Sequence, residues 1–289
     1  MGKQYSRRTF LKKALTLTVG TILTTMAGYS YVRYFEPSQL EINRYTYQAP
    51  LIPQKFNGIK ILQFSDTHIG HYYDIEKFKT LIKKINKEEP DLVFFTGDLI
   101  DAPDLYKDGN KLIPLLHSIQ APLGKFAIYG NHDHGGYGTE SYKKIMESAG
   151  FTLLVNTFSP ITILKEQIVV AGLDDYMLGR PDFEETLREI PENMFTIFLA
   201  HEPDVAKISQ SYPVHLQLSG HSHGGQIKLP FIGPIVTPPY ATDYTEGFYE
   251  LGNYPLTVYV NRGLGTTRVP FRFLSKPEIA VFTLQSSTT

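Results

Sequence analysis

The chain has 289 residues, a formal net charge of -1, and 42% hydrophobic and 20% charged side chains. That balance is ordinary for a globular protein with a sizeable core. It lacks the basic excess with which proteins neutralise nucleic-acid phosphates, so no nucleic-acid partner is expected. There is no cysteine, which excludes a disulfide framework, a thiolate nucleophile and a cysteine-held zinc.

The N-terminus carries Ser6-Arg7-Arg8-Thr9-Phe10-Leu11-Lys12-Lys13, and no further charge follows until Arg33. Residues 14–29 are apolar but diluted by Thr16, Thr18, Thr21, Thr24, Thr25 and two glycines. An arginine pair before a moderately hydrophobic run resembles a twin-arginine export signal more than a general secretory one. Residues 1–30 are therefore expected to be a targeting element outside the fold, with the twin-arginine translocase as its partner. Thr25-Met26-Ala27 offers a weak cleavage site. The uncharged run also approaches the ~20 residues of a membrane span, so an uncleaved membrane anchor is the alternative. The expected location is outside the cytoplasmic membrane, anchored to it or associated with the cell wall.

Residues 31–57 read as a linker and an edge strand, since 41–47 alternate and are β-prone. From residue 58 on, strands and helices alternate. Strands are expected at 59–64, 92–96, 126–129, 168–173, 195–199 and 216–219. Helical spacing appears at 75–87, through Phe78, Leu81, Ile82 and Ile85, and further helices are expected at 112–119, 141–149 and 204–210. Beyond Gly224 the helical signal vanishes, and 256–260 and 279–284 suggest strands. The pattern predicts one α/β domain over 58–289, a two-sheet β-sandwich core flanked by helices.

Five motifs follow apolar runs: Asp66-Thr67-His68, Gly97-Asp98, Gly130-Asn131-His132-Asp133, Ala200-His201 and Gly220-His221-Ser222-His223. The carboxyl ends of strands are where loops converge on sites in α/β sheets. Spacing of two residues puts Asp66 with His68, and His221 with His223, on one side of an extended segment. Oxygen and imidazole donors of this kind suit Mn, Fe or Zn.

This order of motifs resembles the calcineurin-like metallophosphoesterase superfamily over residues 58–223. With Gly224-Gly225-Gln226 and Asn261-Arg262-Gly263-Leu264-Gly265, it is similar to the bacterial YkuE/YaeI-like branch. That branch includes exported, wall-associated members and relates to hydrolases of lipid-A precursor pyrophosphates. The resemblance implies two divalent metal ions, with manganese favoured. Asp66, His68 and His223 would hold one, Asn131, His201 and His221 the other, and Asp98 both. It implies a metal-bridging hydroxide as nucleophile, His132 as the acid for the leaving group, and Asp133 as the group that orients His132.

The other candidates receive plainer readings. His117 and His215 are expected to be structural, with His71 and His134 near the rim. Asp174 and Asp175 are expected to support rather than ligate. Arg262 and Arg272 are candidate phosphate contacts, with surface pairing preferred. The apolar run 229–240 is expected to be a covered loop, an exposed lip being the alternative. No arginine follows Asp101, unlike the protein Ser/Thr phosphatases, which argues against phosphoprotein substrates. The function expected is hydrolysis of a phosphodiester or phosphoric anhydride. A membrane-face pyrophosphatase acting on a nucleotide-linked lipid is the alternative, and a non-catalytic metal- or wall-binding protein the rival from another class.

Overall fold

A computed structural model describes residues 6–135, 138–252 and 255–287. Two six-stranded sheets stack face to face. The first contains β1 (Glu41–Ala49), β2 (Lys60–Phe64), β3 (Leu92–Phe95), β4 (Gly124–Ala127), β5 (Thr152–Leu153) and β14 (Glu278–Ser286), in the order β1-β14-β2-β3-β4-β5. The second contains β6 (Thr157–Ile163), β7 (Glu166–Gly172), β8 (Thr196–Leu199), β9 (Leu216–Ser219), β12 (Gly247–Leu251) and β13 (Leu256–Val260), in the order β12-β13-β9-β8-β7-β6. In the first sheet β2 to β5 run parallel, as do β7, β8 and β9 in the second.

Alternate residues of these strands fill different layers. Ile61, Leu92 and Phe94 meet Ile197, Leu199 and Leu216 between the sheets. Leu62, Phe64, Val93 and Phe95 point outward, against helices α2 (Ile75–Lys87), α3 (Leu112–His117) and α5 (Thr139–Ser148). On the far side, Val169, Phe198 and Val258 are buried with Leu187 of α6 (Phe183–Leu187) and Ala206 of α7 (Ala206–Ser209). Both faces of each sheet are thus buried, which is why the central strands are continuous apolar runs. Helix α2 shows the local logic. Asp74 caps it by accepting the Lys77 N–H, Phe78, Leu81, Ile82 and Ile85 face the sheet, and Lys84 and Lys87 lie in its last turn.

Several elements differ from expectation. Strand β6 was not expected because Pro160 interrupts its pattern; it is an edge strand, where a missing N–H costs no ladder bond. Strand β12 is the opposite edge of that sheet. The helix expected at 204–210 is a single turn, Pro203–Val205, followed by α7. The edge strand expected over 41–47 is present as β1, paired in parallel with β14 from Glu41 to Ala49, so only the expected start of the domain at residue 58 changes: the first sheet begins before it.

Helix α1 (Arg7–Ser30) precedes the sheets, capped by Ser6, which accepts the Thr9 N–H. None of its residues is buried. Among the described residues no helix is long and apolar enough to cross a membrane, and the threonines that dilute this segment are the physical reason.

Candidate metal centre

All five motifs sit just beyond the carboxyl ends of β2, β3, β4, β8 and β9, where two parallel runs from facing sheets converge. Backbone bonds stitch the loops together. Asp66 N–H donates to Gly97 O at 2.9 Å, His68 N–H to Asp98 O at 3.2 Å, and Gly220 N–H to His201 O at 3.0 Å. The turns are sharp: Asp66, His68, Asp98, His221 and His223 all have positive φ, between 43° and 66°. Such backbone costs on the order of 1–3 kcal/mol per non-glycine residue and persists where the surroundings over-determine it. Gly97, at φ +97°, lets the chain pass where a Cβ would lie 2.6 Å from His201 Nδ1.

Three overlapping groups of donor atoms converge: Asp66, His68 and His223; His68, Asp98 and His132; and Asp98, His201 and His221. Asp98 joins two of them. Its Oδ2 is 3.3 Å from His201 Nε2 and 3.5 Å from His68 Nε2, while its Oδ1 accepts the His132 backbone N–H at 2.8 Å. His68 Nε2 and His223 Nε2 are 3.0 Å apart. Two imidazole nitrogens on one cation, each ~2.1 Å from it, are separated by about this distance.

The residues fit a divalent cation on three further observations. Asn131 Oδ1 and His201 Nε2 are buried without a hydrogen-bond partner, an arrangement that is costly unless a ligand completes it. His201 Nδ1 lies 2.7 Å from Thr96 O, His68 Nδ1 3.1 Å from Asp101 Oδ1, and His221 Nε2 2.9 Å from Pro239 O. Each such bond uses one ring N–H and leaves the other nitrogen's lone pair for a cation. The electrostatics agree. Burial alone would lower His201, but the carboxylates of Asp98 and Asp66 raise it well above its ordinary value. That field would draw in a metal ion equally. Burial and the neighbouring His201 push His221 down to about 3, keeping it neutral as a ligand must be.

His132 lies at the mouth, on the short helix α4 (Asn131–His134), its Nδ1 2.6 Å from the Asp101 carbonyl oxygen and its ring against His68. Burial lowers its basicity, but Asp98 and Asp101 outweigh this and raise it above the ordinary value. Asp133 does not orient the His132 ring as expected. Its carboxylate is turned inward, accepting the backbone N–H groups of Asp98, Leu99 and Gly130 at 2.8, 3.0 and 2.9 Å. Asp101 faces His132 instead, and also reaches His68. The sequence contained a signal for it, a carboxylate three residues after Asp98 in the same strand-end loop.

The remaining candidates are placed as follows. His134 binds Asp174 at 2.8 Å, and Asp174 also accepts the Arg180 N–H, a supporting role. His215 accepts the Thr196 N–H within the core. Neither arginine lines the cleft, and Arg262 forms the expected ion pairing while Arg272 does not. Arg262 is partly buried against Glu41 and Glu278. Arg272 is fully buried behind His223, donating to the carbonyls of Gly265, Ser275 and Arg262. Arg268 lines the cleft instead, a cleft of about 340 Å³ that opens from the donor cluster. The run 229–240 is not covered; Phe231, Ile232, Ile235 and Val236 are exposed.

A model of the calcineurin-like phosphoesterases matches residues 59–225, which span every one of these donors. The chain belongs to the calcineurin-like phosphoesterase family. It is a metal-dependent phosphoric ester hydrolase, and the two-sheet core with flanking helices is that family's fold. It is 52% identical to the metallophosphoesterase YkuE of Bacillus subtilis, over 99% of each chain. It is 28% identical to phosphodiesterase YaeI of Escherichia coli, over 96% of this chain and 99% of that one. It is also 28% identical to the UDP-2,3-diacylglucosamine pyrophosphatase LpxG of Chlamydia trachomatis, over 94% of this chain and 98% of that one.

Proposed function

We propose that the protein hydrolyses a phosphodiester or phosphoric anhydride with two divalent cations, manganese being favoured, after export by the twin-arginine route. Asp66, His68 and His223 would hold one cation, Asn131, His201 and His221 the other, with Asp98 shared because a carboxylate offers two oxygens. When bound, such a pair acidifies a water to make the nucleophile and offsets the charge of the phosphate. The chain's own residues do the rest. Water adds at phosphorus, the P–O bond to the leaving group breaks, and the leaving oxygen takes its proton from His132. The His132 Nδ1–H is engaged by the Asp101 carbonyl, so Nε2 is the proton-bearing atom left for the substrate. Arg268 supplies a cation at the cleft wall, suited to a phosphate oxygen.

The observation that carries this reading is the pair of unpartnered buried atoms, Asn131 Oδ1 and His201 Nε2, at the end of the cluster centred on Asp98. A phosphodiesterase and a pyrophosphatase among the relatives support both bond types. Export is supported by the arginine pair and by the exposed helix α1 that carries it. The test is hydrolysis of bis(p-nitrophenyl) phosphate, a monoester and a pyrophosphate diester by protein loaded with Mn²⁺, with metal counted per chain. About two ions per chain and turnover of the diester or pyrophosphate are expected. One ion per chain, or preference for the monoester, would count against it.

A further inference from the structure

The cleft above the donor cluster has two kinds of wall. Asp98, Asn131 and His132 form part of a polar floor, while Ile235, Val236 and Val269 form an aliphatic side. Among the described residues no Phe, Tyr or Trp lines it, so these residues offer no Phe, Tyr or Trp platform of the kind on which a nucleobase stacks.

The aliphatic side does not stop at the rim. Ile235 and Val236 follow a two-stranded hairpin, β10 (Lys228–Leu229) and β11 (Gly233–Pro234), whose tip carries Pro230, Phe231 and Ile232. Phe231 is fully exposed and Ile232 is 75% exposed, beside the exposed Ile235 and Val236. The Phe231 backbone sits at φ +65°, a conformation unusual for a bulky residue. Among the described residues its ring has no aromatic partner.

The base of the hairpin is tied to the segment that receives helix α1. Lys228 N–H donates to Phe273 O at 2.9 Å. The Phe273 ring meets Tyr31, and the Phe271 ring meets Tyr29. Before Glu36 the chain carries Lys3, Arg7, Arg8, Lys12, Lys13 and Arg33 and no acidic residue. An apolar tip and an apolar groove leading to a phosphate site thus meet at one rim, with Arg268 on the cleft wall and Arg33 two residues beyond the Tyr31 that packs on Phe273, while Arg7, Arg8, Lys12 and Lys13 lie at the far end of the 24-residue helix α1. An apolar patch bordered by cations is what an anionic bilayer attracts.

We propose that Phe231 and Ile232 dock the cleft mouth onto an anionic lipid bilayer. The substrates taken from it are phosphoesters with an apolar chain, which lies along Ile235, Val236 and Val269 while the phosphate rests on the polar floor. This rests on the phosphoesterase reading and names its substrate class. Phe231 and Ile232 touch neither the donor cluster nor the cleft, so their loss should spare the chemistry.

The test uses the full chain loaded with Mn²⁺. The sequence has no tryptophan, so Phe231→Trp gives a single fluorophore at the tip, distinct from any contact made by α1. Phosphatidylglycerol–phosphatidylcholine vesicles should shift its emission to the blue, and brominated acyl chains should quench it. Phe231→Ser with Ile232→Ser should lose roughly a hundredfold in vesicle partitioning, as each large apolar side chain withdrawn from water is worth about tenfold or more. The same pair should lose most activity on the p-nitrophenyl ester of dioleoyl phosphatidic acid in those vesicles, with bis(p-nitrophenyl) phosphate turnover unchanged. An unshifted Trp, or equal activity of the double variant on the vesicle-borne ester, would overturn the proposal. So would a shift on isolated cell-wall polymer but not on vesicles. A shift on vesicles with no turnover of either ester would uphold the docking surface and reject the phosphoesterase reading.

Discussion

The Asp133 carboxylate holds the backbone N–H of Asp98 at 2.8 Å. The same carboxylate accepts from Leu99 and Gly130, so one buried side chain ties the loop after β3 to the loop after β4. These loops carry Asp98 and Asn131, one from each neighbouring strand. Asp133 therefore sets the distance between donors rather than the pose of the acid, and burial together with the Asp98 carboxylate pushes its own carboxyl up to about 7.

Asp133→Ala should accordingly behave as a metal-site variant. It strands three buried donors, each of which costs about 1–3 kcal/mol when unpaired. Loss of bound metal and of thermal stability should accompany loss of activity. Elemental analysis beside a melting curve checks this; a stable, fully metallated but inactive Asp133→Ala would return Asp133 to a role at His132.

His132 and Asp98 should separate cleanly in the same measurements. His132→Ala should keep its metals and lose about 10²–10⁴-fold in kcat, the usual worth of a general acid. Asp98→Asn should lose at least one metal and nearly all activity, since the carboxylate faces both His68 and His201. A metal-free His132→Ala would contradict the assignment.

Asp101 reaches His132 through its backbone carbonyl and His68 through its side chain. Asp101→Asn keeps the first contact and weakens the second. The expected result is a loss of about 10–100-fold in metal affinity, the usual cost of removing a carboxylate behind a ligating histidine. At saturating metal, kcat should recover most of the wild-type value. Calorimetric metal titration and kcat at high Mn²⁺ together test it; an unchanged affinity with a collapsed kcat would place the side chain in proton transfer instead.

The donors were legible in the sequence because they fall in short motifs after apolar runs, and a strand's end fixes where its next residues go. Helix α2 was legible because Phe78, Leu81, Ile82 and Ile85 repeat at helical spacing and Asp74 caps it. What was not legible depends on contacts distant in sequence. The inward turn of Asp133 follows from bonds to residues 34 and 35 positions away. The burial of Arg272 behind His223 depends on carbonyls offered by Gly265, Ser275 and Arg262. Edge strand β6 was masked by Pro160, which only its edge position makes harmless. The run 229–240 was expected to be covered and stands exposed, because an apolar, proline-rich run packs inward or stands open with the same composition.

Gly97 tests how tightly the centre is built. A methyl there meets His201 Nδ1 at 2.6 Å and Gly130 N at 2.7 Å, on a backbone at φ +97°. Gly97→Ala should destabilise the fold by about 1–3 kcal/mol from backbone strain alone. It should also displace His201, weakening the metal site that His201 shares with Asp98. A melting curve and a metal count that both match wild type would show the turn to be looser than these distances indicate.

The export proposal makes the last prediction. Arg7 and Arg8 are exposed on α1, which contributes no buried residue, so changing them should leave the two-sheet domain intact. Arg7→Lys with Arg8→Lys keeps both positive charges and removes only the guanidinium fork, which separates recognition from simple attraction to a membrane surface. The twin-arginine route carries folded proteins, so a chain that fails to leave should still be folded, loaded with metal and active. The expected result is accumulation of activity inside the cell and its loss from the exterior fractions, measured as diester hydrolysis in each. The residual interior protein should melt at the wild-type temperature and carry the wild-type metal content. Export of the double variant at the wild-type level would refute the signal assignment and leave α1 as a surface helix of another purpose.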